Sequence, residues 1–305
     1  MPPREYRSRA IVLRSFDQGE SDRVVHLYTR EVGRVSAIAK GARRSKRRFP
    51  GTLELFSVLD VRLVDPPRSA LMRLEGARLV RAFESMTRSL PRYAIGCRFL
   101  ELVDRLTPEQ EAQPGFFEFC EGLLGVLDEE PGDRLLAALV LAKTLARLGY
   151  RPVLERCAAC GRDLATERAR VAFVPAQGGA VCSACAGSEA CHTRPELLAA
   201  LESGLRMPLR ERAGLGLGPA DVRRLERHLD HFFRFYIGFE LRSDGFLRTV
   251  LDAVDGAAAP GDTAPARAAQ GGPVSWGGGE QAAGRLAQRC PPALVADEEP
   301  GSGPG

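Results

Sequence analysis

Two Cys-x-x-Cys pairs, Cys157-Ala-Ala-Cys160 and Cys182-Ser-Ala-Cys185, constrain this chain more than any other feature of its sequence. Thiolates with two residues between them can turn onto one ion, and a tetrahedral site needs two such knuckles. The 21 residues between the pairs must therefore leave and return to one point. That interval is slightly longer than the usual span of about 15–20 residues. Gly161 frees the first turn, Gly178-Gly179 marks a hairpin before the second knuckle, and Val171 to Val174 supplies the short strand of a zinc ribbon. A redox motif would need a thioredoxin-like βαβ setting, which the flanking pattern lacks. Four thiolates leave no open coordination position, so the expected group is one structural Zn(II) per chain on Cys157, Cys160, Cys182 and Cys185. Of the other cysteines, Cys97 and Cys120 fall on helix faces and are expected in the core. Cys191-His192 could replace one ligand or be a spare thiol beside a surface imidazole. Cys290 is expected as an exposed thiol.

The pattern around the knuckles divides the chain. Runs rich in β-branched residues at Tyr6–Arg14, Arg23–Thr29, Arg34–Ala39, Leu55–Val64 and Ala70–Val80 read as five short strands, the last bent at Gly76. Five strands in about 80 residues fit a small closed barrel, of which the OB-fold is the simplest. From Pro91 the apolar period becomes 3.6, as in Ile95, Phe99, Leu102 and Leu106. Helices are expected through Phe116–Leu127, Leu135–Leu148, Pro195–Leu205 and Pro219–Leu241, forming one bundle interrupted by the cysteine insert. The expected organisation is α+β: a five-stranded barrel over 1–84, an α-helical domain over 85–253 with a zinc insert at 153–192, and a tail over 254–305. Thirty of the last fifty residues are Gly, Ala or Pro, a composition that reads as disordered.

Charge follows the same division. Residues 1–80 hold 17 Lys and Arg against 9 Asp and Glu, a net +8 in a chain whose total is +4. An excess of this kind suggests a polyanion partner for the barrel. It is densest in Lys40-Gly-Ala-Arg43-Arg44-Ser-Lys46-Arg47-Arg48, six cations in nine residues without an acid. This run falls between the third and fourth expected strands, and Arg7, Arg9, Arg14, Arg23 and Arg34 add to it. Lys40, Arg43, Arg44, Lys46, Arg47 and Arg48 are the expected nucleic-acid contacts, directed at phosphates and indifferent to base sequence. Phe49, next to the loop, either stacks on a base or packs in the core.

Catalytic signatures are missing. The chain has no phosphate-binding G-x-x-x-x-G-K-[ST], no dinucleotide fingerprint and no nucleophile elbow. His228 and His231, one turn apart, could bind metal but fit a polar helix face better. Glu20 and Asp22 could hold Mg(II) in a nuclease, but a turn with an Arg partner explains them more simply. Three function classes remain: a non-enzymatic DNA-binding mediator, a metal-dependent nuclease, and a zinc-stabilised RNA-binding adaptor. No run of about 18 apolar residues exists and Met1–Arg14 lacks a signal-peptide core, so a cytoplasmic chain without a membrane partner is expected.

Several stretches carry a resemblance. Ala10-Ile-Val-Leu13, Gly19-Glu-Ser-Asp22, Tyr28-Thr-Arg-Glu-Val-Gly33 and Ala39-Lys-Gly-Ala-Arg-Arg44 are similar to the barrel of the RecO family of bacterial DNA-repair proteins. Leu148-Gly-Tyr-Arg-Pro152, Cys157-Ala-Ala-Cys-Gly161, the glycines before Cys182, and Leu241-Arg-Ser-Asp-Gly-Phe-Leu247 follow in family order. The resemblance spans residues 4–253. It implies an OB-fold, a helical domain, a four-cysteine zinc site and no enzymatic activity. It implies a mediator that binds single- and double-stranded DNA, anneals complementary strands and helps load RecA onto strands coated by SSB. The implied partners are RecR, the acidic C-terminal tail of SSB, and, indirectly, RecF and RecA.

Overall fold

The structure is a computed structural model. It describes residues 4–45, 48–49, 52–65, 71–113, 115–165, 170–187 and 191–258. Lys46, Arg47, Cys290 and residues 259–305 lie outside the described residues.

Five strands, β1 (Arg4–Gln18), β2 (Asp22–Thr29), β3 (Gly33–Ala39), β4 (Ser57–Asp65) and β5 (Met72–Ala82), close a barrel in the order β1-β2-β3-β5-β4. This is the OB-type order expected from the sequence. β1 is longer than the apolar run Tyr6–Arg14 because two neighbours share it. Its first half pairs with β4, from Arg4↔Asp65 to Ile11↔Val58, and its second half pairs with β2, from Ala10↔Thr29 to Gln18↔Asp22. A register shift between Val12 and Arg14 turns the strand from one partner to the other. β5 is also shifted, with Arg62 opposite Gly76 and Leu63 opposite Leu74, which is the bend that Gly76 announces. Val25, Leu27, Val35, Ala37, Leu59, Leu63 and Leu74 alternate inward and fill the barrel.

Helices α1 (Glu84–Arg88), α2 (Leu90–Leu106), α3 (Phe116–Glu129) and α4 (Arg134–Arg147) follow. Their core is continuous with the barrel's outer face, because Ile11, Leu13, Tyr28 and Phe56 are buried among Phe99, Leu102, Phe116 and Leu123. Tyr28 meets Phe116 edge-on at 5.3 Å. A three-stranded sheet, β6 (Val171–Val174), β7 (Gly179–Val181) and β8 (Cys191–Thr193), forms the insert in the order β7-β6-β8. Helices α5 (Pro195–Arg206), α6 (Pro219–Ile237) and α7 (Ser243–Ala258) complete the described chain.

Two expectations change here. The helix expected to run to Leu241 stops at Ile237, where Gly238 takes a left-handed φ of 72° and its N–H bonds to the Arg234 carbonyl. α7 then continues to Ala258, so residues 254–258 are helix rather than the start of a tail. Two buried arginines fasten this end through ion pairs. Arg98 of α2 reaches Asp230 of α6 and Asp244 of α7, each at 2.9 Å. Arg134 of α4 reaches Glu226, Asp252 and Asp255 on α6 and α7.

Candidate metal centre and nucleic-acid interface

The two knuckles meet. The sulfurs of Cys157, Cys160, Cys182 and Cys185 lie within 4.8 Å of one another, the one such convergence of His, Cys, Asp or Glu ligands among the described residues. The backbone makes the turns: the Gly161 N–H bonds to the Cys157 carbonyl at 2.8 Å, and the Ala186 N–H to the Cys182 carbonyl at 3.0 Å. The Cys160 and Cys182 sulfurs are 3.8 Å apart. A tetrahedron with arms of about 2.3 Å has edges of roughly this length, so the four residues fit Zn(II). Its chemistry there would be to bind four thiolates and tie the two turns together.

The thiols of Cys157 and Cys185 do not ionise alike. Burial opposes charge on Cys157, but the N–H groups of Cys182, Cys160 and Ala159 outweigh it and bring the thiol down to about 6. Cys185, hydrogen-bonded to the Cys182 and Cys160 sulfurs, is pushed up to about 12. His192 is exposed on β8, apart from this cluster. Cys97 and Cys120 are held in the helical core, and burial raises both thiols.

The insert is fixed to α6 through Phe173, whose ring lies 5.3 Å from His228 and 5.9 Å from Phe232. His228 is therefore not on a polar face. It is 3% exposed, and burial with nearby Arg224 and Arg227 lowers it to about 4, so the imidazole stays neutral. Hydrophobic periodicity carried this signal, since His228 stands in line with Leu225, Leu229 and Phe232.

The cationic run is the β3–β4 loop, as expected, and Lys40, Arg43, Arg44 and Arg48 are exposed on it. Its first half is fastened rather than loose. Asp22 accepts from the Gly41 N–H at 2.8 Å and from the Ser21 hydroxyl at 2.7 Å, and these bonds hold its carboxyl below the usual range. The Arg43 N–H bonds to the Ser21 carbonyl, and Arg48 reaches back to the Lys40 carbonyl at 2.7 Å. Glu20 lies 3.5 Å from Arg44. The acids considered for a nuclease thus shape and partner the loop.

Phe49 packs in the barrel core, 5% exposed, which removes it as a stacking residue. Arg23 and Arg34 are also withdrawn. Arg23 is held by Asp17 at 2.9 Å and Glu54 at 2.7 Å. Arg34 donates to the Thr107 carbonyl at 2.9 Å and to Glu109 at 3.1 Å, and His26 of β2 pairs with Asp104 at 2.9 Å. The Gln110 N–H completes the cover by bonding to the Arg34 carbonyl. A Cβ on Gly33 would fall 2.1 Å from the Glu111 carbonyl oxygen. The β2–β3 region, through which OB-folds commonly bind oligonucleotides, is thus partly occupied by the chain's own residues 104–111.

A closed five-stranded barrel carrying a cationic loop, built onto a helical domain with four convergent thiols, belongs with the oligonucleotide-binding-type barrels. Residues 1–83 match the family described as Recombination protein O N terminal, and residues 88–245 match Recombination protein O C terminal. The chain is 40% identical over 246 residues to the DNA repair protein RecO of Myxococcus xanthus (strain DK1622), covering 80% of this chain and 98% of that one. It is 36% identical over 243 residues to the DNA repair protein RecO of Anaeromyxobacter sp. (strain Fw109-5), covering 79% and 94%. The chain belongs to the RecO family of DNA-repair proteins, which is not a known enzyme family. No helix among the described residues is long and apolar enough to cross a membrane.

Proposed function

We propose that this chain is a recombination mediator of the RecF pathway that binds single- and double-stranded DNA and anneals complementary strands. It helps load RecA onto single strands coated by SSB. The observation that carries this reading is the loop after β3, where Lys40, Arg43, Arg44 and Arg48 are exposed on a rigid barrel. Lys46 and Arg47 complete its charge. Annealing needs no covalent step. Two backbones that repel each other must be neutralised side by side, and cations that ignore bases serve any complementary pair. The barrel over 1–84 takes this role. The helical domain over 85–253, with the insert 153–192, has no net positive charge to spend on DNA and offers surface to proteins: RecR, the SSB C-terminal tail, and through them RecF and RecA. One Zn(II) on the four cysteines keeps the insert in shape, and the protein works in the cytoplasm at the nucleoid.

The test is annealing of complementary oligonucleotides without ATP or Mg(II). Pairing faster than the spontaneous rate is expected, and no acceleration would sink the reading. Scission that depends on Mg(II) would favour a nuclease, and preference for RNA in the same titration an adaptor.

A further inference from the structure

The barrel carries a second cationic surface that the loop sequence does not announce. A groove of about 700 Å³ crosses β1, β4 and β5, lined by Arg7, Arg9, Arg62, Arg78 and Arg48 together with Glu31, Asp60 and Glu75. Strand register sets these charges in two rows. In one, Arg9 lies opposite Asp60 and Asp60 opposite Arg78, so a carboxylate separates the two cations and pairs with both. In the other, Arg7 lies directly opposite Arg62, and the next position on β5 is Gly76. Arg7 and Arg62 are both exposed, and neither has an acidic partner among the described residues.

Like charges directly opposite on an antiparallel pair cost stability in water. The register therefore places two guanidiniums where an anion between them relieves the repulsion. The floor beside them is open, since a Cβ on Gly76 would meet only the Arg48 carbonyl oxygen, at 3.9 Å. Arg7 and Arg9 are one two-residue step apart on the same face, about 6.6–6.8 Å, which is comparable with the step between successive phosphates of an extended strand. Arg48 ends the cationic run of the β3–β4 loop and also lines the groove, so the groove begins where that run ends. Residues 104–111 meanwhile occupy part of the β2–β3 region.

We infer that the β1–β4–β5 groove holds the phosphodiester backbone of a single nucleic-acid strand, gripped at Arg7 and Arg62. This rests on the reading that the barrel binds nucleic acid, and assigns that strand a path the loop alone does not define.

The experiment is fluorescence anisotropy of a labelled single-stranded oligodeoxythymidylate with the full chain over a range of salt. Arg7→Gln with Arg62→Gln is expected to weaken binding at least ten-fold and to flatten the log–log salt slope by about 1.4. Its thermal midpoint should be unchanged or higher, and Arg7→Lys with Arg62→Lys should keep the wild-type slope. Unchanged affinity and slope in the Gln variant would overturn the groove while leaving the loop reading intact. A lowered thermal midpoint would overturn it as well, since the pair would then be holding the fold. Displacement of the strand by inorganic phosphate beyond the effect of ionic strength would mark a single-anion site and overturn the strand path. A wild-type chain that fails to bind the oligonucleotide would overturn the loop reading and the groove together.

Discussion

Four sulfurs from two turns lie within 4.8 Å of one another, whereas Arg43, Arg44 and Arg48 of the β3–β4 loop each meet a different partner, Asp17, Glu20 and the Lys40 carbonyl. The cysteines are useful only together, and their neighbours keep them so: Cys157 and Cys182 are buried, and Phe173 fastens their sheet to α6. The loop works through exposure, and its acids, Asp22 and Glu20, arrange or moderate charge without removing it. A site of the first kind fails all at once when one member is lost. A site of the second kind should weaken by degrees.

The largest effect that would sharpen this contrast is Cys182→Ser. Replacing a ligand at a position with 0% exposure should abolish binding of one equivalent of zinc. It should cost on the order of 5 kcal/mol, a fall in thermal midpoint of about 10 °C or more. Metal analysis and a thermal melt check this. If the variant keeps its stability but loses DNA affinity as far as a loop variant does, the two sites are not separate.

A smaller effect lies where the insert meets α6. His228 has its pKa lowered from 6.5 to about 4 in the fold, so between those values the unfolded chain takes up a proton that the folded chain refuses. Stability is therefore complete above about pH 6.5 and falls on acidification, by about 2 kcal/mol between pH 7 and pH 5. Urea denaturation at both pH values should show this loss, and His228→Leu should remove most of it. An unaltered acid sensitivity in that variant would place the titrating group elsewhere.

The smallest effect on folding comes from the loop. Arg43, Arg44, Arg47 and Arg48 changed together to Ala should move the thermal midpoint by no more than about 2 °C. Their loss should still weaken single-strand binding at least ten-fold and flatten its salt slope by up to about 3. Affinity that survives intact at low salt would reduce the loop to a solvated face.

What could be read in the sequence followed the same contrast. The knuckles were legible because ligand spacing is local, and the five barrel strands because alternation is local. The barrel's cations were legible as charge, but the partners of Arg23 and Arg34 were not. Arg34 is neutralised by Glu109, 75 residues later, and nothing near Arg34 signals it. Phe49 was ambiguous because one apolar residue beside a charge run has no period to follow. The extent of β1 was hidden because its ends, Arg4 to Glu5 and Asp17 to Gln18, pair by backbone while their side chains stay largely in water. α7 escaped because it starts in a polar stretch, Ser243-Asp-Gly245, and ends among the alanines that made the tail look structureless. Gly238 did carry the signal for the end of α6, a left-handed cap after the last apolar turn.

The apolar outer face of the barrel bears on how the chain is made. Ile11, Leu13, Tyr28 and Phe56 are covered by residues of α2 and α3, which leave the ribosome only after the barrel sequence is complete. For that interval the newborn barrel carries an uncovered greasy flank, the kind of surface that chaperones hold and that aggregates form from. A barrel cut off after Phe83 keeps that flank permanently.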